Sequence, residues 1–172
     1  YHGKSGRSLE IDFAKKEQGW CGYYTTLKKG SKYFDASKYR SFVFWVRGTE
    51  GGESFECGMS DEKWDKKGDS LKCGQIEIYL PGGVTKKWQK VEIPLSDFGD
   101  LDFSKLASVI INFPNPGEGR IYVDDLSFTK EETKVAIPQG ETLLIHNFDT
   151  NLKNALGGKI GFYKSYPSKI SV

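Results

Sequence analysis

The sequence predicts an all-β domain, a two-sheet antiparallel β-sandwich of jelly-roll type, and three observations lead there. Aromatic residues make up 14% of the chain, with 20 Gly and a single Met, a mix that favours strands and turns over helices. Short segments of alternating apolar and polar residues recur between Gly, Pro, Asn and Asp punctuation up to residue 128. Helix signals are weak. Many short strands separated by turns bury their apolar faces most simply by packing one antiparallel sheet on another.

In chain order the strands are RSLEIDFA (7–14), GWCGYYTTL (19–27), SFVFWVRG (41–48), SFECGMS (54–60), QIEIYLP (75–81), WQKVEIPL (88–95), SVIINF (108–113) and GRIYVDDLSF (119–128). In the third, side-chain alternation puts Phe42, Phe44 and Val46 on one face, and Val43, Trp45 and Arg47 on the other. DASKYR (35–40) and DFSKLA (102–107) each predict about one helical turn behind an Asp cap, and DEKWDKK reads as a polar loop. In the last strand, strict alternation puts Asp124 on the side of Leu126 and Phe128, where a carboxylate needs a partner or a cation. After Phe128 a polar, charged stretch reads as a linker over 130–142, and a 30-residue tail over 143–172 has too little apolar surface to fold alone.

Composition removes several function classes. A formal charge of +2 is too small to make nucleic acid the natural partner. No window is apolar enough for membrane insertion, and the mean hydropathy is -0.53. A start at Tyr1 rather than Met points to a processed product or an excised fragment. Three Cys with no C-x-x-C spacing and two His argue against a zinc or iron-sulfur site. At most one disulfide can form, with Cys57 and Cys73 the preferred pair and worth about 3 kcal/mol if oxidised, but three buried thiols are the favoured reading. Neither a nucleophile elbow, a P-loop nor a dinucleotide fingerprint is present, which argues against acyl and phosphoryl transfer; two of the 23 acids could still converge as glycosidases require, but the favoured reading is no enzyme.

Aromatic rings are the other chemical asset. A pyranose shows C–H groups on one face and hydroxyls at its rim, so it is held by a flat exposed ring beside amides or carboxylates. Tyr24 shares the face of Trp20; Trp45 with Arg47 and Trp64 add rings, and Asp61 and Asn112 add hydrogen-bonding groups.

The order GKSGRSLEIDF, GWCGYYTTL, FDASKYRSFVFWVRG, WQKVEIPLSDF, RIYVDDLSF resembles the galactose-binding-like jelly-roll carbohydrate-binding modules. The family-11 β-glucan-binding type and the related domain of complex I intermediate-associated proteins are the nearest in pattern. The most specific pieces are W-x-x-V-x-I-P-L-S-x-F at 88–98 and Y-V-D-D-L near the last strand. In those modules a segment like L-L-I-H-N-F-D comes first, and a strand like S-K-I-S-V leads into G-K-S-G. Here that opening piece sits at the C-terminus, so the resemblance implies a sandwich over 1–129 whose opening strands come from 143–172. The chain is then cut from a tandem array or permuted, and the tail completes its own sandwich or that of a neighbouring copy in a strand-exchanged oligomer. The resemblance also implies ligand-lining positions at Trp20 and Phe113. It further implies a structural Ca2+ held by Asp124, by Asp149 of the opening strand and by carbonyls of the turn from Gly3 to Gly6.

The reading is a non-catalytic module of an extracellular or cell-surface protein, binding a polysaccharide or oligosaccharide through a calcium-stabilised sandwich. The rival is a structural or protein-interaction repeat with the same fold.

Overall fold

The computed structural model describes residues 1–3, 6–130, 142–146, 154, 156–164 and 169–171. Two antiparallel sheets face each other. The first has the order β11 (Lys169–Ser171), β1 (Leu9–Lys15), β8 (Gly117–Thr129), β3 (Ser41–Gly48), β6 (Gln89–Pro94), with β9 (Thr142–His146) also paired to β8. The second runs β10 (Ile160–Lys164), β2 (Cys21–Thr26), β7 (Leu106–Asn112), β4 (Glu56–Asp61), β5 (Leu71–Gln75). A β-sandwich is what the alternation implied.

Alternation also fixes the faces. Phe42, Phe44 and Val46 point inward and are at most 1% exposed, which turns Trp45 and Arg47 outward. On the opposing sheet Cys21, Tyr23 and Thr25 of β2 are buried to the same degree. Rings fill the space between. Phe13 stacks on Phe113 with centroids 3.9 Å apart, and Phe34 and Phe42 flank Phe128 at 5.9 and 5.7 Å. Each such buried ring contributes about 1.5–3 kcal/mol relative to exposure.

Several local expectations change. QIEIYLP is a strand only to Gln75; Ile76–Ile78 forms a 3-10 turn in which Tyr79 N donates to the Ile76 carbonyl at 3.0 Å. Gly74 at φ 96° lies in a bulge of β5, Gln75 still pairs with Glu56, and Ile76, 1% exposed, enters the core. DFSKLA keeps its Asp cap as a 3-10 turn over Phe103–Lys105, Ser104 N donating to Asp102. DEKWDKK is a helix, α1 (Glu62–Lys67), rather than a loop. Asp61 accepts from Trp64 N at its start, Gly68 closes it at φ 70°, and Glu62 pairs with Lys66 one turn on. One expectation holds: Cys21, Cys57 and Cys73 are three buried thiols.

β8 carries the main correction to the faces. Asp125 has φ 52°, and β8 slips by one residue against β3, so that Trp45 pairs with Asp124 but Val43 with Ser127. Val123 and Leu126 therefore both face the core, and Asp124 aligns with the outward Trp45 rather than with Leu126. It is nonetheless 2% exposed, lying beneath the N-terminal residues.

Three strands come from the end of the chain: β9 on β8, β10 on β2 and β11 on β1. Asn154, 4% exposed, anchors the turn before β10. Its amide donates to Thr25 Oγ1 at 2.8 Å and to the Thr26 carbonyl, and its Oδ1 accepts from Leu156 N and Gly158 N. Most of the expected linker, residues 131–141, lies outside the described residues, as do Asp149, Lys4 and Ser5.

Candidate functional site

The outward face of the five-stranded sheet is built row by row from strand register. One row runs Tyr163, Gly22, Asn112, Glu56; the next runs Gly161, Tyr24, Ile110, Gly58 and Lys72; a third holds Thr26, Ser108 and Ser60. Because Cys21, Tyr23 and Thr25 go to the core, their neighbours Gly22, Tyr24 and Thr26 must face out. Trp20, one step before β2, continues that alternation and is 63% exposed.

Polar groups across this face are oriented by one another. The Tyr163 hydroxyl donates to Asn112 Oδ1 at 2.7 Å, and Asn112 Nδ2 donates to Glu56 Oε1 at 2.6 Å. This pair of partners fixes which way round the amide sits. Burial pushes the Tyr163 phenol above its ordinary pKa, so it stays a protonated donor. Ser60 and Ser108 share a hydrogen bond of 2.6 Å, and Lys72 turns to the rim, donating to Asp69 and the Ser70 carbonyl. Rings, an amide, hydroxyls and the Glu56 carboxylate can bind sugar hydroxyls and C–H faces.

Of the residues singled out in the sequence, the structure brings Trp20, Tyr24 and Asn112 to this face. Phe113 is 1% exposed and stacked on Phe13, so its ring belongs to the core. Asp61, 3% exposed, spends one oxygen capping α1 and the other accepting from Asp102 N at 3.0 Å. Trp64 is half-buried against the core with Lys67 over its ring at 4.6 Å. Trp45 lies on the outer side of the other sheet, where His2 stacks on it at 3.6 Å, and Arg47 sits over Tyr122 at 4.0 Å. That side also carries Asp124, which accepts from His2 N at 2.8 Å and from Asp125 N at 2.9 Å. A groove beside β1 is charged, but its groups are committed internally: Glu53 accepts three backbone amides and Arg120 is held by Asp12 and Glu10.

Tyr163, Glu56, Gly22 and Gly161 were not singled out in the sequence. One signal was present: G-Y-Y at 22–24 and G-F-Y at 161–163 each place a glycine two residues before a tyrosine. Paired antiparallel, they set each glycine opposite the other strand's tyrosine.

Comparisons with known proteins agree with this chemistry. The family model for carbohydrate binding domain 30 matches residues 1–130. No curated protein matches the chain. A crystal structure of a family 30 carbohydrate-binding module superposes with TM-score 0.60 at 24% identity, over 76% of this chain and 71% of that one. The family 30 module of a cellulosomal cellulase of Clostridium thermocellum gives TM-score 0.55 at 25% identity, over 73% and 76%. A family 11 module from Clostridium thermocellum, solved with a β-1,3-1,4-mixed-linked tetrasaccharide, shares the fold with TM-score 0.61 at 20% identity, over 74% and 78%. A non-catalytic β-sandwich with a sugar-compatible face and this match across residues 1–130 belongs to carbohydrate binding domain family 30.

Proposed function

We propose that the chain binds a β-linked glucan laid across the outer face of the five-stranded sheet. Tyr24, Tyr163 and Trp20 stack on pyranose faces, while Asn112 and Glu56 hydrogen-bond hydroxyls at the rim. The observation that carries this reading is the convergence of two tyrosines and the Asn112–Glu56 pair on one sheet surface. The mixed-linked tetrasaccharide held by the family 11 structure supplies the ligand class to try first. Micromolar to millimolar affinity, about 4–8 kcal/mol, is within reach of a few stacked rings and hydrogen bonds. Affinity electrophoresis in mixed-linkage β-glucan tests it: retarded migration is expected, reduced by Trp20→Ala and Tyr24→Ala. Unaltered migration of the wild type in every polysaccharide tried overturns it.

Residues 143–172 complete the sandwich of their own chain in this reading, supported by the pairing of β9, β10 and β11 with strands of the same chain. A calcium ion bound near Asp124 is part of the same proposal. The fit rests on a carboxylate only 2% exposed, whose described hydrogen-bond donors are both backbone amides. Asp124, Asp149 and carbonyls of the turn at 3–6 would hold the ion, which when bound supplies the charge compensation that a buried carboxylate requires. In this reading the module belongs to an extracellular or cell-surface protein, the setting in which it would meet a polysaccharide.

A further inference from the structure

Gly22 and Gly161 stand inside strands, where glycine is a poor choice: it costs about 0.5–1 kcal/mol relative to alanine. Neither has a positive φ, so neither is required by the backbone conformation. What each provides is space. A Cβ at Gly161 would stand 2.9 Å from Cε1, Cζ and Oη of Tyr24, so the far edge of the Tyr24 ring occupies the place a side chain would take. A Cβ at Gly22 would likewise meet the Tyr163 phenol, and the Ile111 carbonyl at 2.5 Å.

The arrangement is reciprocal. Tyr163 is directly opposite Gly22 and Tyr24 directly opposite Gly161, so each strand contributes one ring and the seat for the other ring. A tyrosine laid over a glycine lies along the sheet and turns a π face outward; a tyrosine raised by a neighbouring Cβ presents an edge. Stacking on a pyranose requires the face.

We propose that Gly161, with Gly22 as its counterpart, is a positioning residue for the ligand, acting through Tyr24 and Tyr163. This rests on the β-glucan reading of the same face. Tyr24 and Tyr163 are then diagonal neighbours on adjacent strands, roughly 7–8 Å apart, a floor for sugars of an extended chain. The competing role is structural: an aromatic covering a glycine can serve the sheet alone.

A double-mutant cycle on the full chain separates the two, with affinity for a mixed-linkage β-glucan oligosaccharide measured by calorimetry well below the melting temperature. Gly161→Ala is the cleaner probe, since the three atoms nearest its added Cβ all belong to the Tyr24 side chain, whereas Gly22→Ala also meets backbone. The expected result is about a tenfold weaker Kd for Gly161→Ala and for Tyr24→Ala. The double variant should bind no more weakly than Tyr24→Ala, because the glycine acts only through the ring. Should Gly161→Ala alone fail to fold, the double variant relieves the clash, folds, and binds like Tyr24→Ala. Wild-type affinity in Gly161→Ala, or losses that multiply in the double variant, overturn the proposal while leaving the β-glucan reading standing. A wild type that binds no glucan removes both.

Discussion

The hydroxyl of Tyr163 donates to Oδ1 of Asn112 at 2.7 Å, joining a strand from the end of the chain to one in the middle of the five-stranded sheet. Asn112 passes the contact on to Glu56. Asn112→Ala leaves a half-buried phenol and a carboxylate without that amide, a loss of about 1–3 kcal/mol. Thermal melts should show it as a fall of about 2–4 °C per kcal/mol, together with weakened glucan binding. Tyr163→Phe should lose affinity less than Tyr163→Ala, because the ring stays.

Asp61 predicts the opposite pattern. Both its oxygens are committed to backbone amides, Trp64 N and Asp102 N. Asp61→Ala should lower stability by about 0.5–2 kcal/mol through the lost cap, with glucan affinity unchanged in titrations of the folded protein.

Asn154 holds the turn that leads into β10 with four hydrogen bonds. Replacing it with alanine strands buried partners and should speed amide exchange in 156–164 before any change in β3. Saturating oligosaccharide should slow exchange in the same residues, since a ligand touching Tyr163 binds only the docked strand. Equal exchange with and without bound ligand would remove Tyr163 from the site.

Asp124 gives a test of calcium through pH. Burial holds its carboxyl above the ordinary carboxylate range, against the pull of the His2 and Asp125 amides. A carboxyl raised in the native state takes up protons on folding. Without calcium it therefore subtracts from stability above its folded pKa, and that penalty vanishes below the unfolded value of about 3.9. In chelator Asp124→Asn should be at least as stable as wild type at pH 7, the gap closing on acidification. In millimolar calcium the order should invert. A wild-type melting temperature indifferent to calcium refutes the site.

Burial raises the thiol pKa of Cys57 and Cys73 above the ordinary range. Thiol reagents should therefore label the native chain slowly and all three cysteines after unfolding. Immediate loss of two titratable thiols under denaturing, non-reducing conditions would show a disulfide.

The sandwich was legible because its strands alternate strongly: Phe42, Phe44 and Val46 could only face one way. Alternation failed where one residue was added, at Asp125, and where a glycine sits in a bulge, at Gly74. Helix α1 was missed because it has no apolar period; its signals were the cap Asp61 and the stop Gly68, seven residues apart. At the site, Trp20, Tyr24 and Asn112 were readable from strand faces. Phe113 was not separable from them, because an outward ring and a core ring look alike until the register between strands is known, and Trp45, outward as alternation implies, lies on the other sheet, which one strand's pattern does not reveal. Tyr163 depended on a pairing between segments far apart in the chain.

That separation bears on folding. The face proposed for the glucan draws Tyr24, Glu56, Asn112 and Tyr163 from four distant stretches, joined by non-local pairings of the kind that form slowly. A partly folded molecule therefore has no half-strength version of this surface. On the proposed binding, retention on a polysaccharide column should count molecules whose β2 and β10 have paired, and so double as an assay of complete folding.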